Sequence, residues 1–162
     1  MNHIKMKYMR MKNIFFAVMI IFGFTASVQA QSRLETNKNY TGAQAKKSMY
    51  KAIYQMDQGA PDIIKKAIRN INNLLEDPRL KGKIQIELVA FSGGTEAYKK
   101  GSEYEAALKA LVDKGVLVVQ CLNTLKERKI EKTELFDFIG YVPTGNGELV
   151  IRAADGWTIV KP

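Results

Sequence analysis

Cys121 is the only cysteine among 162 residues, and its position could make it chemically active. It follows the apolar run Val116-Leu117-Val118-Val119-Gln120 and precedes the polar, helix-forming stretch Leu122-Asn123-Thr124-Leu125-Lys126-Glu127-Arg128. A strand followed by a helix puts this side chain at the carboxyl end of the strand, the edge of an α/β sheet where ligands bind. There the unpaired N–H groups that open a helix favour thiolate over thiol. The same position also suits a plain structural role, because free cysteine packs as a small hydrophobe and is among the most buried residue types. On the residues alone both roles stay open.

The other chemistry-bearing residues narrow the choice. The single histidine, His3, falls in a segment that reads as a secretory leader. Lys5, Lys7, Arg10 and Lys12 form its positive start, Ile14 to Gly23 its apolar core, and Val28-Gln29-Ala30 the small residues before a cut. That core is short of the roughly 20 residues a membrane helix needs. No cysteine lies near the cut to take a lipid. The expectation is cleavage after Ala30, a periplasmic or secreted protein starting at Gln31, and no stable membrane association afterwards. Without His3 there is no Ser-His-Asp or Cys-His catalysis, and one cysteine makes no zinc set, so neither a metal nor a cofactor is expected. In an oxidising compartment Cys121 also has no partner in its own chain.

Charge argues against nucleic acid. The formal net charge is +9, but removing the four leader cations leaves 21 basic against 16 acidic residues, a net +5. The lysines are interleaved with acids, as around Glu76-Asp77 and Lys81-Gly82-Lys83, and no basic and aromatic stripe tracks a phosphate backbone.

The elements that must position Cys121 read as alternating strand and helix. Residues 31–47 are polar without an apolar period and predict a flexible lead-in, leaving 48–162 as one α/β domain. Tyr50 to Met56 predicts a strand. Asp57-Gln58-Gly59-Ala60 is a turn, and Pro61 opens a helix with Ile64, Ala67, Ile68, Ile71 and Leu75 on one face, stopped by Asp77-Pro78. Lys83 to Phe91 is a second, buried strand, Ser92-Gly93-Gly94 its loop, and a short helix follows from Thr95. A longer one, Glu103 to Lys114, ends at Gly115. After the Val116 to Gln120 strand and the helix behind Cys121, a further helix is expected from Thr144–Asn146 to Asp155, then a last strand from Trp157 to Lys161. The alternation predicts a mostly parallel sheet flanked by helices on both faces, with flavodoxin-like layering.

Three loops then gather at one edge, and they supply the candidate site. Ser92, Gly93 and Gly94 could turn N–H groups toward an anion, or make an ordinary tight turn. Asn123 or Thr124 could cap the helix behind Cys121. Asp57 is either a pocket carboxylate or a turn former. Trp157 is expected in the core, and Tyr141 and Arg152 could line the site.

Taken in order, Asn70-Ile71-Asn72-Asn73, Glu87-Leu88-Val89-Ala90-Phe91 before Ser92-Gly93, Tyr104 to Leu111, and Gly115-Val116 leading to Cys121-Leu122-Asn123-Thr124 form a pattern. Val142-Pro143-Thr144-Gly145 and Gly156-Trp157-Thr158-Ile159-Val160-Lys161-Pro162 complete it. From about Tyr50 onward the chain resembles the DsrE/DsrF-like family, particularly its exported single-domain members. The resemblance implies a DsrE-type sheet domain that forms homo-oligomers. In sulfur-handling members it implies a cysteine that accepts and passes on a persulfide sulfur, and Cys121 matches that position. The chain departs from the relays in lacking a second cysteine near Cys121 and in the lysine and glutamate that follow it.

Two functions remain: a sulfur carrier or persulfide-handling protein, possessing sulfurtransferase activity if it is an enzyme and taking a small sulfur-containing or anionic ligand, or a non-enzymatic oligomeric binding or structural module with a buried cysteine. The leader is checked separately. Intact-mass analysis of exported material should give a chain beginning at Gln31, and a species retaining Ile14 to Gly23 would mean an anchor.

Overall fold

The computed structural model describes Met6 and residues 32–162; apart from Met6, the predicted leader lies outside the described residues. Two compact units divide at Gln44 and Ala45. In the first, where a flexible lead-in is expected, residues 32–38 form a helix exposed at every position. Its bonds are local: Thr36 Oγ1 donates to the Ser32 carbonyl at 2.8 Å and Asn39 Nδ2 to Glu35 Oε1 at 3.0 Å. An apolar period is what burial requires, and a helix without one can still close its own turns.

The second unit is built on strands whose side chains are apolar on both faces, as parallel neighbours require. β1 (Tyr50–Met56), β2 (Ile84–Ala90), β3 (Leu117–Cys121), β4 (Gly140–Val142) and β5 (Thr158–Val160) form one sheet in the order β4-β3-β2-β1-β5. Every pairing is parallel. β1 occupies the residues the sequence predicts, whereas β3 runs one residue further and takes in Cys121.

Four α-helices connect the strands: α1 (Pro61–Glu76), α2 (Glu105–Asp113), α3 (Leu122–Arg128) and α4 (Gly145–Ala154). α1 has no side-chain cap at Ala60. Pro61 presets its first turn, and Asp62 meets the positive end of the helix. Burial decides the matter: Ile64, Ala67, Ile68 and Ile71 are buried, and each fully buried isoleucine is worth roughly 1.5–3 kcal/mol, against about 1 kcal/mol for a cap. Asp77 and Pro78 end the helix as expected. Gly115, at φ 86°, turns the chain out of α2 into β3.

The helices divide between two apolar clusters. Ala52, Tyr54, Met56, Ile86, Leu88, Ala90 and Val118 pack with α1, α2 and Leu125 of α3. Ile53, Val89 and Val142, on the opposite face, pack with Leu149 of α4 and with Trp157. Stepping from β1 to β4 in one direction keeps three crossovers on one face; the return to β5 puts α4 on the other.

Glu87, at the centre of β2, is fully buried under α4. Arg152 Nη2 lies 2.7 Å from its Oε2, and Arg152 Nε 2.9 Å from Glu148 Oε1. The guanidinium stacks 4.3 Å above the Trp157 ring. Glu87 Oε1 finds no donor among the described residues. Burial pushes the Glu87 carboxyl above its ordinary range, and Arg152 pulls it only part of the way back. A raised carboxyl contributes stability that is fully present below the unfolded-state value and is lost as pH rises through the folded-state value. Arg152→Ala should therefore cost about 3–5 kcal/mol near neutral pH, where Glu87 must either stay charged without a partner or take up a proton, and clearly less near about pH 4. Adding Glu87→Gln should recover most of the loss. Urea unfolding of the two variants at both pH values checks this; a pH-independent Arg152→Ala cost would show that the guanidinium matters for packing alone.

Candidate functional site

The connections after β3 and β4 leave the sheet on opposite faces, α3 to one and α4 to the other. That divergence is the topological switch point where open α/β sheets bind ligands, and Cys121 stands at it, paired in register with Val142 of β4. Its backbone is extended (φ −69°, ψ 118°), and its side chain is the N-cap of α3: Sγ accepts the Thr124 N–H at 3.3 Å. This corrects the expectation that Asn123 or Thr124 caps the helix, since both lie inside the first turn. Cys121 is 4% exposed and belongs to neither apolar cluster. Fully buried Gln120 donates from Nε2 to the Cys121 carbonyl at 2.9 Å, and its Oε1 has no hydrogen-bond partner among the described residues.

On the β4 side the start of α3 is tied down by backbone, Asn123 N–H donating to the Pro143 carbonyl at 3.1 Å. The Asn123 side chain runs along the helix to Glu127, 2.7 Å away. On the β2 side the ties are side chains. Thr124 Oγ1 accepts the Ser92 N–H at 3.1 Å, and Arg128 Nη1 donates to the Ser92 carbonyl at 2.8 Å. Arg128 Nη2 also grips Glu96, which Lys99 shares at 3.1 Å. Burial acts to raise the Glu96 carboxyl, but Arg128 and Lys99 together outweigh it and hold it below its ordinary range.

Ser92, Gly93 and Gly94 form the start of a 3-10 helix, Ser92–Tyr98, so the helix begins three residues before the expected Thr95. Two constraints tighten the turn. Ser92 is left-handed at φ 47°, and a side chain on Gly94 would collide with the Met56 carbonyl. Gly59 and Gly93 are in close contact as well: a methyl on Gly59 would lie 2.7 Å from the Gly93 carbonyl oxygen. The N–H groups expected to face an anion already have acceptors, Ser92 in Thr124 and, at 3.1 and 2.9 Å, Gly93 in the Asp57 carbonyl and Gly94 in the Phe91 carbonyl. An anion here would have to displace them.

The structure thus brings Cys121, Thr124 and Ser92 together, while Gly93 and Gly94 turn toward Asp57 and Met56. Asp57 joins through its backbone; its carboxylate is taken by Gln55 at 3.2 Å and Lys161 at 3.3 Å, toward β5 and two strands from Cys121. Tyr141 lies beneath Lys132, 4.4 Å from its ring, and Arg152 belongs to the Glu87 pair on the α4 face. Among the described residues no three His, Cys, Asp or Glu side chains converge where a metal could be held, and no helix is long and apolar enough to cross a membrane. Sequence reasoning missed Arg128 and Glu96. The spacing of Thr124 and Arg128, four apart on one face of a helix behind a candidate nucleophile, was the available signal for the first; nothing marked the second.

The order of elements and the position of Cys121 can be set beside known proteins. A protein of unknown function from Methanobacterium thermoautotrophicum, MTH1491, superposes with a TM-score of 0.66 at 28% identity, covering 70% of this chain and 99% of its own. The ychN protein of E. coli superposes at 0.56 and 15% identity over the same 70% and 99%, a likeness of fold. No curated protein matches. The sequence model of the DsrE/DsrF-like family matches residues 63–162, which span α1 through β5 and include Cys121. In agreement with the resemblance carried by its motifs, the chain belongs to the DsrE/DsrF-like family.

Proposed function

We propose that this protein is a sulfur carrier that acts through Cys121. The observation that carries the reading is the placement of the thiol at the switch point of the sheet, with Sγ accepting a backbone N–H from the first turn of α3; membership of a family associated with sulfur relay supports it. The step is an exchange. Cys121, as thiolate, attacks the outer sulfur of a small persulfide R–S–SH, a Cys121 Sγ–S bond forms, and the donor S–S bond breaks with its electron pair leaving on R–S⁻. That thiolate takes the proton Cys121 gave up, so Cys121 ends as the persulfide and the donor as a thiol, and no oxidant is consumed.

The second reading, a binding or structural module with a buried cysteine, has its own support in the 4% exposure of Cys121. Incubation with glutathione persulfide separates the two by intact mass. The carrier gains one sulfur, Cys121→Ser gains none, and Cys121→Ser unfolds at nearly the wild-type urea midpoint. A structural cysteine takes up no sulfur, and the serine variant loses roughly 1–3 kcal/mol because a hydroxyl replaces sulfur in a dry site.

In either reading we take the domain to be a homo-oligomer. The large apolar side chains Leu117, Val150, Ile151 and Ile159 are exposed, two on α4 and two on flanking strands, and such a surface suits association. Light scattering at micromolar concentration should give more than one chain per particle; a monomer at every concentration would remove this part of the proposal.

A further inference from the structure

We propose that Arg128 is a positioning residue that latches α3 over the thiol, so that breaking its pairing with Glu96 and Ser92 opens the path by which a sulfur donor reaches Cys121. The donor part of this rests on the sulfur-carrier reading; the latch itself is a claim about access. A side chain 4% exposed cannot meet a reactant unless something moves, and the structure distinguishes what can move from what cannot. The Ser92–Gly94 segment is locked to β1 by the Gly93 hydrogen bond to Asp57 and by the contact of Gly94 with the Met56 carbonyl. The β4 wall is held by ladder and backbone bonds. α3 has seven residues, of which Thr124 and Leu125 are buried and Leu122 packs partly against the core, so three side chains seat it on the sheet.

What pins α3 on the β2 side is a pair of grips on one residue. Thr124 takes the Ser92 N–H and Arg128 takes its carbonyl. Ser92 is left-handed without being glycine, a conformation that costs of order 1 kcal/mol and persists where surroundings over-determine it. The Arg128 and Glu96 side chains are 35% and 40% exposed, so the pair can be undone from solvent without opening the core. Lys99, already 3.1 Å from Glu96, keeps that carboxylate paired after Arg128 leaves, which lowers the cost of release. The arrangement therefore has a closed state with a shared carboxylate and an open state in which Glu96 stays paired with Lys99.

The test is the rate at which iodoacetamide alkylates Cys121 in the folded protein at fixed pH, read by intact mass, with urea midpoints measured alongside. Losing a hydrogen bond between a charged and a neutral group raises a local opening equilibrium by about 10-fold or more, so Arg128→Ala should label about 10-fold faster than wild type. Arg128→Lys should fall between the two, because an ammonium can hold Glu96 or the Ser92 carbonyl but does not fork to both. Glu96→Gln, which leaves Arg128 its bond to Ser92, should give a smaller increase, and it decides the matter if Arg128→Ala does not fold. Wild-type rates in both Glu96→Gln and Arg128→Lys, or rates that merely follow the loss of global stability, overturn the latch. The two proposals fail separately. Faster labelling in Arg128→Ala with no sulfur uptake by the wild type sinks the carrier and keeps the latch; sulfur uptake with labelling indifferent to Arg128 does the reverse.

Discussion

A sheet of parallel strands must send every connection back across its own face, and in this protein the crossovers change face once, between β3 and β4. The arrangement at the carboxyl edge depends on that change. Before it, α1, α2 and α3 share a face and a common apolar cluster; after it, α4 and Trp157 cover the other. At the point of change the last residue of β3 is flanked by diverging chains, and a short helix has to start there. Cys121 supplies the start with its own sulfur, which satisfies one of the N–H groups left unpaired at a helix N-terminus. Position and chemistry have one origin: the residue that ends the strand, caps the helix and sits at the switch point is the same residue.

The opposite face shows what the fold tolerates in order to seat α4. A carboxylate in the middle of a parallel sheet is costly, and the attraction of one guanidinium shared with Glu148 does not fully offset it, since the Glu87 carboxyl stays above its ordinary range. The pairing does fix geometry. Arg152 can satisfy Glu87 only from above the centre of β2, and from there it stacks on Trp157, so α4 has one rotation and one height on a sheet whose apolar residues would accept several.

Local patterns carried most of the fold. β1 and the stop of α1 at Asp77 were readable because alternation, a proline at the first turn and a proline after the last turn act over a few residues. The position of Cys121 at a strand end was readable for the same reason. Contacts between distant segments were not. Glu87 looked like part of an apolar strand, and Arg152 like a residue of the site, because nothing local says that a helix late in the chain lies over β2. Ser92-Gly93-Gly94 leaves an anion nest and an ordinary tight turn both open, since glycines announce conformational freedom and say nothing of the Met56 and Asp57 carbonyls that use it up. Side-chain preference points to Asn123 or Thr124 as the cap of α3, whereas the extended backbone of Cys121 makes its sulfur the acceptor of the Thr124 N–H.

Burial and reactivity of Cys121 pull in opposite directions only if the site is taken as static. The exclusion of solvent from the sulfur and its hydrogen bond from the Thr124 N–H both follow from one placement of α3. α3 is the shortest of the four helices, seven residues held by Thr124, Leu125 and Arg128, and short segments with few buried contacts open at a small fraction of the global unfolding cost. Closure and access are then properties of two states of one short element. Because Thr124 both donates its N–H to Sγ and accepts from Ser92, any motion that frees the thiol to solvent also loosens the hydrogen bond that holds its sulfur, so exposure and electronic environment change together.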